Sequence, residues 1–305
     1  MPVSSTGVQY AQVSWLPSGE PYSVEFDDIY FSRQHGMQES RHVFLDTNDL
    51  RRRWLESDNT APAFVIAEIG FGTGLNFLLT WHLWQHARLT NKKLHYLAFE
   101  KHPLRLLDLK KVQAQWPDLN GLAAILQQNY TQLARGLQRY HIASDVTLDL
   151  YIDDAVASLK RQSPHLHQKV DCWFLDGFSP AKNPALWSKE LTDLIRLHSQ
   201  PGTTLSSYSV AGQVRRNLLS SGFNIEKLPG PGNKREILSA RANPAHTVSQ
   251  PAVATTPASD SWVYPEIETP GERHAIVVGA GLAGCSTAYS LCKRGWQVSL
   301  VEQED

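Results

Sequence analysis

Cysteine is scarce in this chain, with only Cys172, Cys285 and Cys292 among 305 residues. The three form no CxxC pair and keep no Cys/His spacing suited to a tetrahedral zinc site, so neither a disulfide scaffold nor a metal is expected. Excess charge of either sign is also lacking, with a formal net charge of -1. A neutral total gives no global field arguing for a nucleic-acid partner, yet it is compatible with a local basic patch. No run reaches the roughly 18 apolar residues of a membrane span, and Met1 to Tyr10 has no basic start followed by an apolar stretch. A reducing, cytoplasmic setting without a membrane partner is the resulting expectation. What is present is an ordinary globular composition, 42% hydrophobic and 19% charged, enough to bury a core in one large domain or two smaller ones.

The first sixty residues read as short strands and turns, among which Phe26-Asp27-Asp28-Ile29-Tyr30-Phe31-Ser32 stands out for aromatic and acidic content. From Phe64 the pattern becomes short apolar runs alternating with helical stretches, which predicts a parallel sheet covered by helices. Seven strands are expected, at 64–69, 94–100, 147–152, 170–176, 203–208, 223–228 and 236–240, the last two as an antiparallel pair closing one edge. Helices are expected at 75–87, 103–115, 119–136, 154–161, 184–198 and 210–221. Residues 244–271 hold Pro244, Pro251, Pro257, Pro265 and Pro270 among Ala, Ser and Thr, the composition of a linker. The expected domains are therefore 1–243, a linker at 244–271, and a new unit at 272–305.

The first expected strand runs into Glu68-Ile69-Gly70-Phe71-Gly72-Thr73-Gly74. Residues without a Cβ permit a tight turn and let backbone amides approach a ligand closely. Nucleotide fingerprints use GxGxxG, whereas an acidic residue followed by xGxGxG suits S-adenosylmethionine, a donor with an amino-acid end and no phosphate. On this reading Glu68 faces the donor's ammonium and the amides of Gly70, Gly72 and Gly74 its carboxylate. Glu100, ending the second strand, is placed to accept both ribose hydroxyls. Asp153 and Asp154 end the third, with Asp154 the candidate for the adenine amino group; the competing reading is a helix cap.

The fourth strand ends in Trp173-Phe174-Leu175-Asp176-Gly177-Phe178-Ser179-Pro180. Ligands bind at the carboxyl ends of open parallel sheets, so Asp176 is the candidate to orient an incoming amine and accept its proton. A helix or turn cap is again the alternative. Later basic residues, Arg215, Arg216, Lys227, Lys234 and Arg235, are candidates for phosphate contacts, against the equal alternative of a solvated face like that of Arg51 to Arg53.

Taken together, the segment 26–32, Ile69-Gly70-Phe71-Gly72-Thr73-Gly74-Leu75-Asn76-Phe77, Trp173 to Pro184 and Lys234-Arg235-Glu236 resemble the bifunctional tRNA 5-methylaminomethyl-2-thiouridine biosynthesis protein family. The resemblance implies a Rossmann-like seven-stranded α/β methyltransferase domain that uses S-adenosylmethionine to methylate the primary amine of 5-aminomethyl-2-thiouridine at the tRNA wobble position. It adds Asn76 to the donor site, Phe178, Pro180 and Lys182 to the acceptor side, and the anticodon arm as the partner of the basic cluster. It also implies a second, FAD-dependent half that removes a carboxymethyl group. Gly279, Gly281 and Gly284 spell GxGxxG between a strand and a helix, and Glu302 ends the next strand where it suits the FAD ribose. With the chain stopping at Asp305, an incomplete FAD-binding βαβ unit with neither oxidase activity nor bound FAD is expected. The rival readings are a methyltransferase of small amines or hydroxyls and a non-catalytic tRNA-binding module.

Overall fold

The structure is a computed structural model and describes residues 7–31, 35–56, 63–87, 89, 92–161, 169–231, 235–246 and 274–302. It opens with a three-stranded antiparallel meander, β1 (Val13–Trp15), β2 (Pro21–Ser23) and β3 (Asp28–Ile29). The following residues depart from the expected strands and turns: α1 (Gly36–Ser40), a π-helical turn at Arg41–Asp46 and α2 (Leu50–Glu56) are helical. Val43, Phe44, Leu50 and Trp54 bury one side of this stretch. Its apolar period is interrupted by the polar turn Thr47-Asn48-Asp49, whose Asp49 has φ of 51°, and the short pieces hide the helical pattern.

The main sheet is built from β4 (Ala63–Ile69), β5 (Lys93–Glu100), β6 (Gly136–Ala143), β7 (Val146–Ile152), β8 (Val170–Leu175), β9 (Ser199–Ser207), β10 (Phe223–Pro229) and β11 (Glu236–Ala242). Their order is β10-β11-β9-β8-β4-β5-β7-β6, parallel from β9 through β7, with β11 antiparallel to both its neighbours and β6 antiparallel to β7. The seven expected strands are all present, and β6 is an eighth. The helix expected at 119–136 ends earlier, as α5 (Asn120–Asn129), and residues 137–143 carry no sequence expectation. As an edge strand β6 is mostly half-buried and has a register irregularity between His141 and Ala143, so it carries no clean alternation.

Successive residues of the inner strands point to opposite faces. Ile66, Tyr96 and Phe174 face one apolar layer with Phe77 and Trp81 of α3 (Leu75–Ala87) and Leu126 of α5; α4 (Leu106–Gln113) supplies Leu109 and Val112 to the same layer. Ala67, Leu97, Trp173 and Leu205 face the other, with α6 (Ala155–Arg161), α7 (Lys189–His198) and α8 (Gly212–Ser220). From β4 the chain winds toward β5 and β7, then crosses to β8 and β9. Beyond the carboxyl end of β4 the connections diverge, and a crevice opens at that switch point.

A separate pair of parallel strands, β12 (His274–Val278) and β13 (Gln297–Val301), is joined by α9 (Leu282–Lys293). Most of the expected linker lies outside the described residues. Among the described residues, no helix is long and apolar enough to cross a membrane, and no group of three or more His, Cys, Asp or Glu is placed to hold a metal ion.

Candidate functional site

A cavity of about 670 Å³ lies at the carboxyl ends of β4, β5, β7 and β8 and is lined on one side by the segment around β3. Its floor is the turn after β4. Gly70 (φ 91°) and Gly72 (φ 52°) adopt the left-handed region, and a Cβ on Gly70 would stand 1.9 Å from the backbone oxygen of Asp176. The turn and the end of β8 are thus packed backbone to backbone, joined by Asp176 N–H donating to Ile69 O at 3.0 Å. Gly74 does not line the cavity, and a Cβ there would meet Phe71 at 3.0 Å and Leu126 at 3.3 Å.

Glu100 lines the cavity, accepting from Gly72 N–H at 2.8 Å and from His102 N–H at 2.9 Å. Burial pushes its carboxyl up to about 6, against those backbone donors. Asp154 also lines the cavity, and its Oδ1 caps α6 by accepting from Ala157 N–H at 3.0 Å. The capping alternative is therefore observed, at one oxygen. Asp153 is held by Arg135 at 3.1 Å and Arg161 at 2.6 Å.

Glu68 is placed differently from expectation. It is 1% exposed and absent from the cavity wall. Oε1 accepts from Asn76 Nδ2 at 2.7 Å and Oε2 from the Tyr96 hydroxyl at 3.0 Å. Burial, then the nearby Asp176 charge, hold its carboxyl well above the ordinary range. Asn76 stands between it and the cavity, and the same Nδ2 donates to Asp176 Oδ2 at 2.7 Å. Asn76 Oδ1 is buried and has no partner.

The wall on the Asp176 side is aromatic. Phe178 stacks on Phe26 with centroids 4.7 Å apart and meets Tyr30 edge-on at 5.2 Å, while its carbonyl accepts from Trp187 Nε1 at 2.9 Å. Ser179 and Pro180 continue this wall. Lys182 does not line the cavity; its ammonium pairs with Asp27, which also accepts from the Tyr22 hydroxyl. Tyr208, after β9, lines the cavity with its hydroxyl 3.4 Å from Ser40 Oγ, and burial followed by the charge of Asp176 raises its phenol. Phe26 and Tyr30 belong to the segment already conspicuous in the sequence, but nothing local marks Tyr208.

Arg215, Arg216 and Arg235 are not part of the cavity wall. Arg215 donates to Val210 O and Arg216 to Gln213 Oε1. Register places this region on the same edge as the cavity, because β11 begins opposite the ends of β10 and β9, with Glu236 beside Pro229 and Leu238 beside Ser207. Lys234 lies outside the described residues.

In the second unit Gly279 has φ of 96°, and a Cβ on Gly284 would stand 1.7 Å from Gly279 O. Gly281 precedes α9, and Glu302 accepts from Ala280 N–H. The turn therefore has the close helix-to-strand packing of a dinucleotide-binding loop.

Comparison with known proteins agrees with this architecture. Residues 117–243 match the family described as S-adenosyl-L-methionine-dependent methyltransferase, and residues 274–305 match the FAD dependent oxidoreductase family. The tRNA 5-methylaminomethyl-2-thiouridine biosynthesis bifunctional protein MnmC of Pseudomonas syringae pv. syringae is 44% identical over 301 residues, 98% of this chain. Nearly the whole chain is thus similar to that protein. The protein of the same name from Pseudomonas entomophila is 42% identical over 301 residues, again 98% of this chain. In both cases the chain spans 44% of the relative's length. The crystal structure of MNMC2 from Aquifex aeolicus superposes with a TM-score of 0.59 at 19% identity, covering 77% of this chain and 70% of that one, which establishes a shared fold.

Proposed function

We propose that this chain transfers a methyl group from S-adenosylmethionine to the primary amine of 5-aminomethyl-2-thiouridine at the wobble position of tRNA. The observation that carries the reading is that one cavity joins the glycine turn and Glu100 to Asp176 beneath an aromatic wall. The relatives' names, with their thiouridine nucleoside bearing a methylaminomethyl group, support the choice of acceptor.

The residues fit the donor. Asn76 Oδ1 is a buried acceptor without a partner, suited to the ammonium of an amino-acid end, and it takes the role first expected of Glu68. Glu100 keeps acceptor capacity beyond its backbone donors, as a ribose diol requires. When bound, S-adenosylmethionine supplies a methyl group already activated on a sulfonium centre, so alignment dominates the chemistry. A primary amine is mostly protonated at neutral pH. Asp176 orients the ammonium and takes its proton, freeing the lone pair that forms the new N–C bond as the C–S bond breaks. Phe178, Phe26 and Tyr30 offer ring faces and edges against which a splayed-out base packs.

Arg215, Arg216 and Arg235 are proposed to meet phosphates of the anticodon arm. A tRNA acceptor carries with it a cytoplasmic location. Gly279, Gly281, Gly284 and Glu302 are proposed as the opening nucleotide-binding turn of a FAD-dependent part. With two strands in its sheet among the described residues, carboxymethyl removal is not assigned to this chain.

Mass analysis of wobble uridine after incubation of undermodified tRNA with the chain and the methyl donor tests the reading. Gain of a methyl group on the aminomethyl nucleoside is expected, and incorporation confined to free small amines would overturn it. Asp176→Ala is expected to slow transfer by roughly a hundredfold, and full activity of that variant would remove Asp176 from the mechanism.

A further inference from the structure

The carboxylate that receives the acceptor is bound by a side chain 100 positions away in the sequence. Asp176 Oδ2 accepts from Asn76 Nδ2 at 2.7 Å, and that nitrogen's second short bond, also 2.7 Å, goes to Glu68 Oε1. Behind Glu68 the Tyr96 hydroxyl occupies Oε2. Tyr96 and Glu68 are fully buried, and Asn76 is 3% exposed at the cavity wall. The chain Tyr96–Glu68–Asn76–Asp176 thus begins in the core on β5, crosses β4 and α3, and ends at the reacting face. An amide nitrogen with two N–H bonds holds two such acceptors roughly 4.5–5 Å apart. At that separation one bridging donor relieves the repulsion between two carboxyl groups and gives each a fixed direction.

We propose that Asn76 is the positioning residue of the acceptor carboxylate: Glu68 and Tyr96 anchor its amide, and the amide fixes the direction of Asp176 and favours its ionised form. This rests on the methyltransferase reading and adds to it a residue that acts on the acceptor through Asp176. The same amide presents Oδ1 for the donor, so one side chain links the two halves of the site.

The test uses Asn76→Leu, which keeps the volume and removes the donor, and Asn76→Ser, which admits water and spares the packing should the leucine variant fail to fold. At saturating donor and tRNA, kcat is expected to fall roughly ten- to a hundredfold, while KM for tRNA stays within threefold, on the order of normal variation. The acid limb of the kcat profile is expected to move to higher pH, because a donor to the charged carboxylate has been removed. A merely structural role lowers activity without moving that limb. An unmoved limb in a folded variant, or kcat within about threefold of wild type, would overturn the proposal. A readout independent of turnover is the ¹³C titration of the Asp176 carboxyl, assigned through its loss in Asp176→Asn. It moves to higher pH in Asn76→Ser if the proposal holds. Inactivity of the wild-type chain on tRNA together with that movement would sink the substrate reading and leave the positioning role standing.

Discussion

Replacing Gly70 by alanine tests the join between the donor turn and the acceptor strand. Two costs arise there. The residue sits at φ 91°, where a Cβ costs about 1–2 kcal/mol. The new Cβ also falls 1.9 Å from Asp176 O and has to gain about 1 Å to reach the 3.0 Å that real contacts keep. Backbone, not a flexible side chain, must move, and the 3.0 Å bond from Asp176 N–H to Ile69 O is strained or lost, about 1 kcal/mol more. With about 1–2 kcal/mol for displacing backbone by that distance, the total is roughly 3–5 kcal/mol, worth about 10 °C in a domain of this size. Gly72→Ala is the control: φ is again positive, at 52°, but its Cβ meets only Tyr30, at 3.5 Å, an ordinary contact. Thermal unfolding of the two variants, with calorimetry of donor binding, separates dihedral strain from the clash. Gly70→Ala should be the less stable by roughly 2–3 kcal/mol and should bind donor poorly. Equal stability of the two variants would refute the claim that the turn is locked to β8.

Donor binding should also follow the titration of Glu100, whose carboxyl lies at about 6 because of burial. Ribose hydroxyls need the ionised acceptor, so the donor Kd is expected to be flat above pH 7 and to rise roughly tenfold by pH 5; a pH-independent Kd measured by calorimetry would count against Glu100. Stability has a separate anchor in buried Asp149, bound by Arg139 through two bonds of 2.7 and 2.6 Å and by His95 at 2.8 Å. Arg139→Met should cost about 3–5 kcal/mol at neutral pH in denaturant titration. Burial raises the Asp149 carboxyl, but His95 and Arg139 outweigh it and leave it below the usual range. Its contribution is therefore present above the unfolded carboxylate value and is lost as pH falls through the depressed one, so the deficit of Arg139→Met should shrink in acid.

The turn at Gly70, Glu100 and Asp176 were legible because each ends a short apolar run, and a run of that kind reads as a strand whatever lies around it. The helical stretch at 36–56 was not, since its pieces are short and a polar turn splits them. β6 escaped for a related reason: an edge strand buries little, and its residues need not alternate. Lys182 read as a cation available to substrate, yet Asp27, 155 positions away, takes it.

Local order in the chain was sufficient to specify the alternating strands and helices, the two glycine turns and the acidic residues at strand ends, because backbone conformation and apolar period are properties of neighbouring residues. Which carboxylates meet was decided only by the packing of strands distant in sequence. Glu68 and Asp176 share the nitrogen of Asn76, because β4 lies beside β8 and the turn between β4 and α3 approaches too closely to admit a Cβ. Bonds of that kind depend on distances across the sheet, which neither composition nor spacing along the chain encodes.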